Sequence, residues 1–194
     1  ETIQCERLRE QVFKGLKAPL LFGEPETWLA LLIEALLREG RGDTADAATL
    51  RAQAFEQAPA TAGVAKGNDD GPGRAFQWIA DADMRIGPVL EAVVNGRYYW
   101  IPFDRLSKVT IEAPTDLRDR VWMPASLMFS NGGEQVAFLP TRYAGSDLSD
   151  PLLALARKTE WTEPQPGLFV GNGQRMLTTD VGDMSLMDLR LITL

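Results

Sequence analysis

The sequence predicts an α+β protein, with a TPR-like helical hairpin region at the N-terminus and a mainly antiparallel β domain with short helices after it. Up to residue 58 the apolar residues recur at helical spacing, whereas from residue 74 they fall into short runs between turn-forming residues. Residues 59–73 are rich in proline, glycine, asparagine and aspartate. The predicted organisation is therefore a helical region at 1–58, a linker at 59–73 and an antiparallel α+β domain at 74–194.

The first predicted helix covers residues 1–17, where Leu8, Val12 and Leu16 form one apolar stripe and Arg9 belongs to the polar face. This helix has no partner helix in the sequence, and the chain begins at glutamate rather than methionine. A further helical segment is therefore expected upstream.

Two more helices are predicted at Trp28–Arg38 and from the N-cap Asp43 to Gln57. They are joined by a few small residues, which is typical of an αα-hairpin of the tetratricopeptide (TPR) type. A single pair of helices does not establish a repeat.

The β domain is predicted from its turns. Asn95 and Gly96 separate two β-prone runs and favour a two-residue type I′ hairpin, because both residues accept positive φ angles. A second hairpin is expected around 131–133, a short helix at Pro151–Arg157 capped by Asp150, and a loop at 162–173. Two last strands are expected near the C-terminus, within 174–179 and 184–193. With about five to seven short strands in all, an antiparallel sheet or small barrel follows.

Composition excludes several classes of function. The 194 residues carry a net charge of −7 with no basic block, which disfavours nucleic acid as a partner. The sequence has no histidine, which removes Ser-His-Asp and Cys-His catalysis and histidine-ligated metals. The longest apolar run, Leu29–Leu37, is too short for a membrane span, so no membrane contact is expected. The single cysteine, Cys5, cannot form an internal disulfide, which fits a reducing compartment.

One short charged cluster is a candidate site. Asp81 and Asp83 lie two residues apart and would share a face of a strand, with Arg85 on the same side. Three interpretations stay open: a structural charge network, which is favoured; a partner-binding site; and a catalytic or metal site. The glycines form neither a Rossmann nor a Walker pattern, so no nucleotide cofactor is predicted. The tryptophans and tyrosines lack interleaved lysines, which favours core packing over base stacking.

Several segments resemble one known family. They are WIADADMRIGPVLEAVVNGRYYWIPF, PTDLRDRVWMPASL, NGGEQVAFLPTRYAGS, ARKTEW and GQRMLTTD, with ERLREQVFKGLKAPLLFGEPETWLALL upstream. Together they are similar to the ImpE family, the SciE/TagJ type of accessory protein encoded in bacterial type VI secretion clusters. The resemblance covers nearly the whole chain, and residues 59–73 are its least specific part.

The resemblance implies a cytoplasmic, non-enzymatic adaptor that binds a contractile-sheath subunit and uses no cofactor. A partner surface is expected on the second helix, at Trp28, Leu32 and Leu36. The alternative from another class is a carboxylate- or metal-dependent hydrolase centred on Asp81 and Asp83. The residues expected to form a structural and signature network are Trp78, Asp81, Asp83, Arg85, Asn95, Gly96, Tyr98, Trp100, Arg118, Asp119, Trp122, Arg142, Tyr143, Trp161, Arg175 and Asp180.

Overall fold

A computed structural model describes residues 2–69 and 71–194. It confirms a mixed α+β protein made mostly of strands. The four α-helices are α1 Thr2–Phe13, α2 Thr27–Gly40, α3 Thr44–Gln57 and α4 Pro151–Ala154. The strands are β1 Leu20–Leu21, β2 Gly63–Gly67, β3 Arg74–Phe76, β4 Ile79–Asp81, β5 Val89–Val94, β6 Arg97–Pro102, β7 Leu106–Ile111, β8 Trp122–Phe129, β9 Glu134–Pro140, β10 Thr159–Gln165, β11 Leu168–Gly173, β12 Met176–Thr179, β13 Gly182–Ser185 and β14 Leu189–Thr193.

Most strands belong to one large sheet. Its nine strands lie in the order β1-β6-β5-β9-β8-β7-β14-β2-β3, and two smaller sheets contain β10-β11 and β13-β12-β4. All pairings are antiparallel except the short parallel contact between β1 and β6. The predicted antiparallel character is confirmed, but the predicted number of strands was about half of the fourteen in the described residues.

Both predicted hairpins are present. β5 and β6 pair so that Val94 lies opposite Arg97, which leaves Asn95 and Gly96 as a two-residue loop. Their φ angles are 49° and 72°, as a type I′ turn requires. The turn at 131–133 likewise joins β8 to β9. These two turns were predictable because their geometry depends on local residues alone.

Strand β5 is buried on both faces and separates two apolar clusters. Leu90, Ala92 and Val94 face a core formed with the other strands. Val89 and Val93 face the other way, into a cluster that includes side chains of α1, α2 and α3. The helices therefore cover one face of the sheet at its β5–β6 end, and the helical and β regions share a core. No helix in the described ranges is long and apolar enough to cross a membrane.

The first helix differs from its prediction in length and in orientation. It ends at Phe13, so Leu16 lies beyond it and is exposed. Its buried residues are Cys5, Arg9 and Val12, which places Arg9 on the buried side rather than on a polar face. The prediction was wrong because hydrophobicity was used to choose the buried face, whereas an ion pair fixes it (below).

Two segments predicted as irregular contain strands. Within residues 59–73, β2 pairs with β14 on one side and β3 on the other, so this segment is part of the large sheet and not only a linker. Within 162–173, β11 pairs with β10 to form a separate hairpin. The predicted strand at 184–193 is divided between β13 and β14. The predicted helix after Asp150 ends at Ala154, and the Asp150 carboxylate caps it by accepting from Leu152 N at 2.8 Å.

Candidate functional site

Glu91 lies in the middle of β5 and faces the helices, where it meets two arginines. Arg9 of α1 donates through Nε to Glu91 Oε1 at 2.7 Å and through Nη2 to Oε2 at 3.0 Å. Arg175 Nη1 lies 3.2 Å from the same Oε2. All three side chains are buried. Glu91 thus joins the first helix to a segment near the C-terminus through one carboxylate.

Two aromatic residues of β6 extend this contact. The Tyr98 hydroxyl donates to Glu91 Oε1 at 2.5 Å and accepts from Trp100 Nε1 at 2.7 Å. Burial opposes ionisation of Glu91, but Arg9 and Arg175 outweigh it and lower the pKa of Glu91 to about 2. Burial and the neighbouring Glu91 raise the pKa of Tyr98 well above 10. Glu91 is therefore a carboxylate and Tyr98 a neutral donor near neutral pH.

Arg175 also binds Asp81, the first residue of the predicted cluster. Its Nη2 and Nε donate to Asp81 Oδ2 at 2.6 and 3.0 Å. Burial raises the pKa of Asp81 to about 6; Arg175 opposes this shift and nearby Asp83 adds to it. Arg175 therefore links Asp81 at the end of β4 to Glu91 in β5.

Asp83 binds its own arginine and a neighbouring strand. Arg85 Nε and Nη2 donate to the Asp83 carboxylate at 3.0 and 2.7 Å, as the sequence predicted for one of the two aspartates. Asp83 Oδ2 also accepts from Gly171 N of β11 at 3.0 Å. The Arg85 guanidinium lies 4.8 Å from the centre of the Phe13 ring on α1. Asp83 and Arg85 thus connect β11 and α1 to the turn after β4.

We call these six residues the buried charge network; its members are Arg9, Asp81, Asp83, Arg85, Glu91 and Arg175. It contains three arginines and three acids, and every carboxylate binds at least one arginine. No group of three or more cysteine, aspartate and glutamate side chains in residues 2–69 and 71–194 is arranged to hold a metal ion. With their oxygens occupied and buried, Asp81 and Asp83 lack the accessible carboxylate that the hydrolase hypothesis needs, and that hypothesis is not supported.

Three more of the predicted residues lie beside the network. The Arg142 carbonyl accepts from Arg9 Nη2 at 2.7 Å, and its own Nη1 donates to Ala154 O at 2.9 Å. The Tyr143 hydroxyl accepts from Met176 N at 2.9 Å and donates to Met176 O at 3.2 Å. Burial raises the pKa of Tyr143, so it stays neutral. Trp161 packs against the Tyr143 ring at 5.7 Å between ring centres.

The remaining predicted residues are distributed over the molecule. Trp122 is buried beneath the helices, and Arg118 is exposed. Asp119 accepts from Thr115 N and Oγ1, both at 3.0 Å, which closes the turn before β8. Asp180 accepts from Gln77 N at 2.8 Å and is exposed. Asp119 and Asp180 thus stabilise separate turns, and none of these four side chains joins the network. Arg175, in contrast, belongs to the network, where it binds Asp81 and Glu91.

The predicted partner surface on α2 is corrected by the structure. Trp28, Leu32 and Leu36 are only 3%, 1% and 2% exposed, because their side of α2 packs on the helix-facing side of β5 and β6. They form core in this fold. The sequence prediction also missed Arg9 and Glu91. A signal for Glu91 existed, since a lone acid in the otherwise apolar strand VLEAVV needs a buried partner.

An exposed apolar groove lies on another part of the molecule. It surrounds Met84 and is lined by Phe55 of α3, by Trp78, and by Trp161 and Phe169 of the β10–β11 hairpin. We call it the Met84 groove. Of the predicted residues it contains Trp78, Trp161 and the buried Asp81, all of which the sequence had assigned to a structural network.

Comparison with known proteins gives three findings. The family model described as "ImpE protein" matches residues 73–193. The type VI secretion system accessory component TagJ of Pseudomonas aeruginosa is 48% identical over 193 residues; the match covers 97% of this chain and 64% of TagJ, so the chain spans just under two thirds of that relative.

The crystal structure of protein VPA1032 from Vibrio parahaemolyticus superimposes with a TM-score of 0.86 over 98% of this chain and 70% of that one, at 22% identity. At that identity the similarity establishes the fold alone. The family model covers the whole region from β3 to β14, including five of the six members of the buried charge network. A match of that extent, more than half of the sequence, places this chain in the ImpE family.

Proposed function

We propose that this chain is a non-enzymatic accessory component of a bacterial type VI secretion system and acts as an adaptor through protein–protein contacts. Membership of the ImpE family and the 48% identity to a protein named as such a component support the proposal. The observation that carries the non-enzymatic part is the buried charge network, in which Asp81, Asp83 and Glu91 are all neutralised by arginines. The buried charge network thus joins elements of the fold to one another.

The proposed partner is a subunit of the contractile sheath, met in the cytoplasm. Within this proposal, α2 and α3 form a TPR-like pair that braces the sheet, and residues 1–58, 59–73 and 74–194 act as one unit. Two contacts support that unity: the shared core beneath α2 and the pairing of β2 with β14. The buried side chains of α2 leave the partner to bind elsewhere on the surface.

The test is co-purification with the sheath. The tagged chain is co-expressed with the small and large sheath subunits of its own secretion cluster and recovered in mild salt. We expect the small subunit to be retained with this chain and not with an unrelated acidic protein carrying the same tag. A well-folded chain that retains neither subunit would refute the proposed partner. Hydrolysis of ester, phosphate or glycoside substrates that Asp83→Asn abolishes would refute the non-enzymatic role.

A further inference from the structure

The Met84 groove is formed by three adjoining cavities. Their volumes are about 370, 320 and 200 Å³, and Met84 lines all of them. Phe55 is shared by the first and third cavities, and Ala82 and Thr178 by the first and second. The cavities therefore form a continuous depression between α3, the turn after β4 and the β10–β11 hairpin, of a size that suits several side chains of a bound segment.

The aromatic residues around this depression are unusually exposed for their size. Trp78, Trp161 and Phe169 are 38%, 42% and 47% accessible. Large aromatic side chains dominate the energetics of protein interfaces, and clustered exposed apolar surface marks interaction sites more often than single exposed residues do. The described contacts of the three residues leave this surface open to solvent.

The α3 side of the groove adds a buried polar group. Ala48, Ala52 and Phe55 share one face of α3 and line the third cavity together with Arg51. Arg51 is 4% exposed; its Nη2 lies 2.8 Å from Glu39 Oε1, but its Nε has no hydrogen-bond partner within residues 2–69 and 71–194. That Nε is enclosed by the protein and offers a bound chain no contact. The small side chains of the two alanines let a bound backbone approach this side of the groove closely.

The charge around the groove indicates which kind of partner would bind there. Asp183 is its exposed charged side chain, whereas Asp81 and Arg51 are buried in ion pairs. Glu163, two residues after Trp161 on β10, is also exposed and acidic. A second copy would bring the same acidic groove and its net charge of −7 against this one, so self-association through this face is electrostatically unfavourable. A cationic partner is favoured.

We infer that the Met84 groove binds a peptide segment of another protein that presents large apolar side chains beside a lysine or arginine. The apolar side chains occupy the cavities around Met84, and the basic residue faces Asp183. The inference rests on the proposed function, because it provides the adaptor with a contact surface. It replaces the buried α2 residues as the place where a partner binds.

The experiment measures binding of two fluorescent 14-residue peptides of equal length, one made of leucine and lysine and one of leucine and glutamate. The test variant is Trp78→Ser/Phe169→Ser, and Asp183→Asn tests the charge. The control is Leu117→Ser, which removes an apolar side chain outside the groove that is 70% exposed, more than Trp78 or Phe169. Circular dichroism and thermal melts verify that each variant is folded.

We expect the leucine–lysine peptide to bind the wild type and Leu117→Ser alike and the double variant at least about tenfold more weakly. Asp183→Asn should weaken binding by a few-fold and reduce its salt dependence. Equal binding of both peptides, or a folded double variant that binds as well as Leu117→Ser, would overturn the inference. So would a wild-type dimer in light scattering that the double variant loses, since the occupant would then be a second copy.

Co-purification with the sheath separates this inference from the proposed function. If the double variant still retains the sheath subunit as the wild type does, the groove is not the contact surface although the function stands. If the wild type retains no sheath subunit but the peptide results are as expected, the proposed partner fails and the groove is retained.

Discussion

The fully buried carboxylate of Glu91 binds two arginines, Arg9 near the N-terminus and Arg175 near the C-terminus. Buried ion pairs rarely add net stability compared with apolar residues of the same shape, because desolvation of the charges offsets their attraction. Removing one partner of a buried ion pair is strongly destabilising, because the other partner is left as an unpaired charge in the core. The network therefore joins α1, β5 and the segment at Arg175, and we expect substitution of its members to be destabilising for that reason.

The first prediction concerns Glu91→Gln. The substitution keeps the shape but leaves Arg9 with only the partly exposed Glu6 and Arg175 with Asp81 alone, so we expect a loss of about 3–5 kcal/mol in the free energy of unfolding. Urea denaturation followed by tryptophan fluorescence measures it. The control is Glu10→Gln, which breaks the exposed pair with Lys14 and should leave the unfolding midpoint essentially unchanged. Equal midpoints for both variants would contradict the prediction.

The second prediction concerns pH and Asp81. Its pKa is about 6 when folded and about 3.9 when unfolded, so the folded state binds a proton more tightly. The resulting stabilisation is fully present below about pH 3.9 and is lost as pH rises through about 6. Glu91, with a folded pKa of about 2, stays ionised in the window from pH 7 to pH 5.

Lowering the pH from 7 to 5 should therefore stabilise the wild type relative to Asp81→Asn by about 1 kcal/mol, or roughly 2–4 °C in Tm. Thermal melts of both proteins at the two pH values measure the difference. Asp46→Asn, an exposed aspartate on α3, serves as the control and should follow the wild type. Parallel pH profiles for the wild type and Asp81→Asn would show that Asp81 is ionised throughout.

Sequence proximity decided which residue contacts were predictable. Arg85 was expected on one of the two aspartates and binds Asp83, two residues away. The contact of Arg175 with Asp81 crosses 94 positions, and that of Arg9 with Glu91 crosses 82. Pattern rules describe neighbours within a turn of helix or strand, so they carry no information on such pairs. A charged residue inside an apolar segment indicates that a partner exists, without identifying it.

At the scale of elements, the ends of α1 and α2 approach unusually closely. A methyl group on Gly40 would lie 2.5 Å from Lys14 O and 2.8 Å from the Gly15 Cα, and both neighbours are backbone atoms that cannot move aside cheaply. Gly40 has no positive φ angle, so its conformation would tolerate alanine. Glycine is therefore required at position 40 because there is no room for a side chain between the two helix ends. This close contact restricts how α1 packs against α2.

The third prediction follows from that contact. Gly40→Ala should lower the unfolding free energy by about 1–3 kcal/mol, although alanine normally favours a helix over glycine. Hydrogen exchange should show faster exchange of α1 amides than in the wild type. In the control, Gly133→Ala, the added methyl meets only the Asn131 side chain, so stability should change little. A stabilised Gly40→Ala variant would show that the helices separate freely.

The elements that the sequence revealed are those whose cause is local. The type I′ turn at Asn95 and Gly96 depends on two residues, and the cap of α4 depends on Asp150. Strand β10 was missed because Pro164 is unfavourable in a strand; it is tolerated because β10 pairs only with β11. Strand β2 was missed because its residues have no apolar alternation. It forms a strand because it pairs with β14, which is distant in the sequence.

At the scale of the whole molecule, the helical and β regions are coupled by both apolar and ionic contacts. The helix-facing side of β5 and β6 includes Val93, Tyr98 and Trp100, which are buried by α1 and α2. Arg9 is the one member of the buried charge network that residues 1–58 provide. Removing the helices would expose aromatic surface and leave Glu91 to Arg175 alone.

The fourth prediction is that residues 59–194, which retain β2, do not fold cooperatively without residues 1–58. We expect a broad thermal transition and binding of a hydrophobic dye, because the apolar face of β5 and β6 would meet water. Co-expressing residues 1–58 as a separate chain should restore a single sharp transition, and Arg9→Met in that chain should restore it at a lower temperature, since Glu91 then lacks its nearest cation. A sharp transition of residues 59–194 alone, near that of the intact chain, would show that the β region is an independent domain and that the helices are an attachment to it.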